Sequence, residues 1–161
     1  MHTALFHNEL GVARLYATDE ALVRMDILDA AEAHTEVTEE TPLLARAKDQ
    51  LTRYFAGELQ AFDLPLAPAG TEFQRRVWAE LLKIPFGSTI SYHELAVRLG
   101  DEKCIRAAAS ANGKNPIWLI IPCHRVIGAD GKLVGYAGGL WRKKKMLQHE
   151  MQFIRPEGTL F

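Results

Sequence analysis

Cys123 stands between Pro122 and the pair His124-Arg125, at the end of the apolar run Ile117–Pro122, in a chain with only two cysteines. A thiolate is a nucleophile, and a neighbouring cation, base or helix N-terminus favours its formation. Adjacent residues on a regular strand point to opposite faces. Pro122 makes a turn the expected geometry instead, and within a turn His124 could serve the thiol directly or through a water. A carboxylate orienting the imidazole would complete a Cys-His-acid arrangement. Glu150, at the end of the last helical stretch, is one candidate among several. A buried inert thiol is the competing reading, and the commoner fate of a lone cysteine.

The elements that must position these groups are marked by their punctuation. TALFH, VARLYA and ALVRMDIL, rich in β formers and bounded by turn residues, predict a small antiparallel meander over the first 28 residues or so. The acidic stretch 31–42 reads as a loop ending at Thr41-Pro42, where proline suits a first helical turn. Leu43, Leu44, Ala47, Leu51, Tyr54 and Phe55 then recur near helical spacing. FDLPLAPAGT predicts an irregular connection and a domain boundary, dividing the chain into 1–69 and 70–161. Thr71 to Gln74 matches a capping box, opening a helix with the core stripe Phe73, Val77, Leu81 and Leu82.

Ser91-Tyr-His-Glu94 is a second capping box, opening a short helix stopped at Gly100. Asp101 is able to cap another, which Gly113 ends. Two short helices joined at Gly100–Asp101 have the proportions of a helix-turn-helix. The second is unusual: residues 107–111 are Ala-Ala-Ala-Ser-Ala, small on every face, with Arg106 the one long side chain able to reach outwards. A buried strand over 117–121, the cysteine turn, a turn at 129–131 and a basic helix over 140–150 complete the pattern. Met151 onwards reads as a tail.

The net charge of −1 hides an asymmetry: residues 1–69 hold five Lys/Arg against twelve Asp/Glu, and the rest hold fourteen against eight. A basic half joined to an acidic half points to nucleic acid or an anionic surface; a solvated helix face is the bland alternative. No apolar run approaches the length of a membrane helix and no export signal is visible, so the expectation is a cytoplasmic protein with reduced thiols. A nucleophile, a slim helix-turn-helix and a basic half together suggest chemistry on a DNA base, which must first leave the stack while a side chain fills the gap.

From about Thr71 to Glu150 the residues resemble the O6-alkylguanine-DNA alkyltransferases, or methylated-DNA–protein-cysteine methyltransferases. SYHELA, Arg106-Ala107 at the head of the second helix, Asn115-Pro116 before the strand, PCHRV, GYAGG and the closing Glu150 carry the likeness. PCHRV with these companions is highly specific, whereas the first 70 residues match only in outline. The resemblance implies an α/β fold: a small N-terminal ribonuclease-H-like domain, then a mainly helical domain with a helix-turn-helix.

It further implies that Cys123 accepts the alkyl group, His124 takes the thiol proton through a water, and Glu150 orients the imidazolium. Asn115 would be a hinge tying the helix-turn-helix to the active-site strand, and Tyr92 a proton donor to N3 of the flipped guanine. Arg106 would replace the extruded base, with Ala107 and Ser110 against the DNA. Val126, Tyr136, Ala137 and Trp118 would line the substrate pocket. Double-stranded DNA, met in the minor groove with little sequence preference, is the implied partner of a monomer, and cooperative binding along DNA stays open. No cofactor is implied. Neither cysteine lies in the N-terminal half and His2, His7 and His34 lack metal-like spacing, so no metal is expected.

There are departures. Lys103-Cys104-Ile105 precedes the arginine where small residues are usual, and could crowd the groove. Trp118 stands where a smaller residue is frequent, suggesting a tighter pocket or simply a core residue. Three rivals remain at this stage. A lesion sensor that binds without transfer would lack the cysteine. A cysteine hydrolase would separate nucleophile and base more widely in sequence. A transcription regulator would leave PCHRV without purpose.

Overall fold

A computed structural model describes residues 1–28, 40–128 and 139–154. The meander forms as expected. Strands β1 (His2–Asn8), β2 (Gly11–Ala17) and β3 (Leu22–Leu28) pair antiparallel in that order. Alternation places Ala4 and Phe6 of β1, Ala13, Leu15 and Ala17 of β2, and Met25 with the partly buried Ile27 of β3 on the core face, while a register shift at Tyr16/Ala17 brings in Leu22. Helix α1 (Pro42–Phe55) packs there, entered at Thr41, whose hydroxyl accepts the Leu44 N–H, and buries Leu44, Ala47, Leu51 and Tyr54.

The proline-rich connection is irregular, but it is not detached. Leu22 N donates to Pro65 O and Ala67 N to Leu22 O, both at 2.9 Å, while Met25 N donates to Pro116 O at 2.9 Å. Two distant segments thereby cover the open edge of β3, whose unpaired backbone groups would otherwise be exposed. The described residues share one continuous apolar core, running from Ala4 to Met146.

Helix α2 (Glu72–Leu81) opens with a complete capping box between Thr71 and Gln74. Its inner face is Val77, Trp78 and Leu81 rather than the expected stripe through Leu82. Leu82 is 49% exposed because the helix has ended and its backbone forms the cap. Trp78 takes the inner place, its indole donating to Ala111 O at 2.8 Å. Strand β4 (Ile90–Ser91) leads into α3 (Tyr92–Arg98), a 3₁₀ turn (Glu102–Cys104) and α4 (Ile105–Gly113): the helix-turn-helix. Only half of the second capping box forms. Ser91 accepts from Glu94 N, while the Glu94 carboxylate turns away to Arg98 at 2.9 Å. Asp101 caps the 3₁₀ turn rather than α4 itself.

The expected strand over 117–121 is a correction. These residues are buried as predicted, but they form a tight turn with isolated bridges: Ile121 N donates back to Ile117 O and Ile120 N to Trp118 O. The five-residue apolar run gives burial without specifying its backbone path, and Leu119 is held at a φ of 73°, a left-handed conformation rare for a branched side chain. Beyond it, β5 (Val126–Ile127) pairs parallel with β4. The last helix, α5 (Leu140–Phe153), runs past the expected end, so the first residues of the supposed tail are helical. Phe153 draws them in by packing its ring 4.9 Å from His149, against Gly57. A Cβ at Gly57 would lie 2.3 Å from that ring, and its φ of 78° also requires glycine. The expected turn at 129–131, Tyr136, Ala137, most of the acidic loop and the end of the tail lie outside the described residues.

Candidate active site

The turn at Pro122 becomes a 3₁₀ segment, Cys123–Arg125, whose end is tied by Val126 N to Cys123 O. Such a turn directs three consecutive side chains apart, so neighbours in sequence serve separate partners. Cys123 and Cys104 form no disulfide; Cys123 is 5% exposed. Asn115 braces the approach from both sides. Its amide donates to Ile121 O at 2.7 Å and its carbonyl accepts from Ile117 N at 2.9 Å, closing the turn that delivers the cysteine.

The two residues that follow the cysteine in the 3₁₀ segment converge on Glu150 of α5 in a buried charge cluster. His124 Nε2 meets Glu150 Oε2 at 2.7 Å. Arg125 donates from Nε to Oε1 and from Nη2 to Oε2, each at 2.9 Å, in a bidentate fork, and its Nη1 donates to Ile84 O at 2.7 Å. Gly87 N approaches Oε1 at 3.3 Å. With a φ of 81° and the Ile154 side chain 2.2 Å from where a Cβ would sit, Gly87 lets backbone reach the carboxylate. Burial alone would raise the Glu150 pKa, but the hydrogen bonds and charges of His124 and Arg125 outweigh it and hold the carboxyl far below its usual range. Burial depresses the His124 pKa, helped by Arg125 and Lys143 and opposed by Glu150.

The resting site therefore holds an ionised Glu150 and a neutral His124. Since Nε2 faces the carboxylate, it carries the ring proton. That leaves Nδ1, buried and hydrogen-bonded to none of the described residues, as the basic nitrogen. The arrangement can accept a proton on one side of the ring and stabilise the resulting cation from the other.

Tyr92, half-buried at the start of α3, is raised in pKa by burial and then by the charge of Cys123, with the Asn112 side chain opposing. A phenol kept protonated is a donor. Asn112 itself donates to Cys123 O at 3.3 Å, and it links α4 to both groups. The sequence reading missed Asn112, as it missed Lys143. Lys143 is fully buried on α5, with Nζ 2.7 Å from Val126 O and 5.8 Å from the Tyr92 ring centre. Desolvation lowers its pKa to about 8, against the pull of a charged Cys123. Both were visible as residue types, one in a small-residue helix and one in the run RKKK. No local pattern distinguishes the single lysine of that run that turns inward.

Of the residues expected to line the pocket, Val126 is buried, and Trp118 is buried in the core with an indole N–H that meets none of the described residues. Arg106, Ala107 and Ser110 are exposed on one side of α4, apart from the charge cluster; Ile105 is at 36% and Cys104 is partly covered. Among the described residues, no group of three His, Cys, Asp or Glu is placed to hold a metal, and no helix is long and apolar enough to cross a membrane.

Comparison with known proteins gives a consistent picture. Residues 72–152 match the model of the 6-O-methylguanine DNA methyltransferase DNA binding domain, and residues 1–68 that of the ribonuclease-like domain of the same proteins. A methylated-DNA–protein-cysteine methyltransferase of Mycolicibacterium paratuberculosis is 46% identical over 94% of this chain and 93% of its own length. One from Methanosarcina acetivorans is 44% identical over 93% and 98%. The Mycobacterium tuberculosis OGT, solved in complex with DNA, superposes with a TM-score of 0.86 at 43% identity, over 95% of this chain and 94% of that one.

Proposed function

The chain belongs to the 6-O-methylguanine DNA methyltransferase family, and from that premise we propose that it repairs DNA by moving the alkyl group of O6-alkylguanine onto Cys123. The observation that carries the residue assignment is the buried His124–Glu150–Arg125 cluster, two of whose members share the 3₁₀ segment of the cysteine. The thiol proton passes through a water to Nδ1 of His124, and Glu150 stabilises the imidazolium. The thiolate attacks the alkyl carbon in line, the S–C bond forms as the C–O6 bond breaks, and guanine leaves with the electron pair. Tyr92, held protonated, donates to N3 as charge develops there. The cationic Lys143 is the counter-charge for the thiolate. The product is a thioether that water does not displace, so each molecule acts once.

DNA is the partner. The exposed Arg106, Ala107 and Ser110 support minor-groove docking of α4 by a monomer, with Arg106 filling the place of the flipped base. Val126 belongs to the proposed pocket, and Tyr136 and Ala137 join it on the resemblance alone. The two matched segments support a division at residues 69/70.

Intact mass after incubation with excess duplex containing O6-methylguanine tests this reading. A gain of ~14 Da at Cys123, at one lesion per protein and lost in Cys123→Ser, is expected from transfer of one methyl. Lesion binding by the wild type without mass gain would leave a sensor in place of a transferase.

A further inference from the structure

Tyr54 lies on α1, 96 residues before Glu150, yet its hydroxyl donates to Glu150 Oε2 at 2.7 Å. That is the oxygen His124 meets at the same distance. A fully buried ring among aromatic neighbours has no packing need for a hydroxyl, and burying one costs free energy unless it is hydrogen-bonded. The ring is fixed by Phe55, Phe62, Phe86 and His149, with centres 4.8–5.9 Å away. Its backbone carbonyl also faces His149 Nε2 at 2.8 Å. Helix α1 is thus clamped to α5 at two consecutive residues of α5, one of them the carboxylate of the relay.

Resting on the relay described above, we propose that Tyr54 is a positioning residue for alkyl transfer, through which the N-terminal helix fixes the Glu150 carboxylate and sets the basicity of His124. The hydroxyl and the imidazole share one oxygen. Charge that Tyr54 draws from Oε2 is withheld from His124. Burial, then the charge and hydrogen bond of Glu150, raise the phenol pKa well beyond its ordinary value, so Tyr54 stays a donor throughout the working range. The other groups facing this relay are Arg125 beside His124, Lys143 and His149 on α5, the Gly87 N–H before β4, and Cys123 with Tyr92 on the substrate side.

Tyr54→Phe keeps the ring and removes the donor. More of the carboxylate charge then falls to His124, whose cation is favoured. The acidic limb of the single-turnover rate, where neutral His124 is the base, should move up by about 0.5–1 pH unit. A 3,5-difluorotyrosine at 54, a stronger donor of nearly the same size, should move it down. Phe62→Leu loosens the same aromatic cluster without touching the hydroxyl, and should lower the melting temperature while leaving the limb in place. A limb unmoved by both changes at position 54 would make Tyr54 structural only and overturn the proposal. A wild-type limb that persists in His124→Gln would overturn the relay itself, and this proposal with it.

Discussion

His124 Nε2 and Glu150 Oε2 lie 2.7 Å apart in the buried interior, 26 residues distant in sequence, each with side-chain exposure of 1% or less. In such surroundings a carboxylate stabilises an imidazolium far more than it would in water. Glu150→Gln keeps the shape and removes the charge. It should slow single-turnover alkyl transfer by about 10²–10⁴, the range for losing the orienting acid of a triad. Arg125 would be left as a buried cation without a counter-charge, at a cost of about 3–5 kcal/mol in denaturant unfolding. A folded variant transferring within threefold of wild type would remove Glu150 from the mechanism.

The same pair sets an acid limit on stability. Burial lowers the folded-state His124 pKa from 6.5, so below about pH 6.5 the unfolded chain binds the extra proton and stability falls with pH. Glu150, whose folded pKa is also depressed, adds stability that is complete above about 4.5 and is lost as pH falls further. Urea midpoints measured from pH 8 down to about pH 3 should therefore fall in two stages. His124→Asn should flatten the first stage and leave the second; an unchanged first stage would show that His124 is not its source.

Much of this was readable in advance, and the failures have a common cause. The meander, α1, the Thr71 box and the helix-turn-helix rest on local signals: alternation, caps and helical spacing. Cys123, His124 and Glu150 could be singled out as candidates because PCHRV and its companions are specific, and the structure brings the last two into contact. The 117–121 segment was misjudged because an apolar run states burial but not path; Asn115, bonding forward to Ile117 and Ile121, decides the turn. Tyr54, Asn112 and Lys143 were unreadable as site residues because their roles come from contacts across 96, 11 and 17 residues. Tyr54 even fitted its helical stripe as ordinary core.

Lys143 separates stability from function. Its pKa of about 8 means that folding disfavours its charged form, so its charge costs stability at neutral pH. Lys143→Met, similar in volume and apolar, should raise the melting temperature at pH 7, and the gain should shrink as pH rises from 8 towards 10.5, where the unfolded lysine loses its proton too. Transfer at pH 7 should nonetheless slow by about tenfold or more, because the thiolate loses its counter-charge. A variant more stable and equally fast would remove the lysine from the chemistry.

Arg106 tests the DNA side independently of the relay. It is exposed at the head of α4, beside small residues that let a duplex come close, and it contributes nothing to the buried cluster. Extruding a base costs a few kcal/mol of unstacking, and a side chain that fills the gap recovers part of it. Arg106→Ala should therefore slow transfer from a duplex by about 10–100-fold, while transfer from O6-alkylguanine supplied as the free base stays within about twofold. The dependence of log affinity on log salt should lose about one unit of slope if the guanidinium also meets a phosphate. Equal losses on duplex and free base would place Arg106 in the chemistry rather than in extrusion. No loss on either would remove Arg106 from base extrusion, leaving docking of α4 to its small residues.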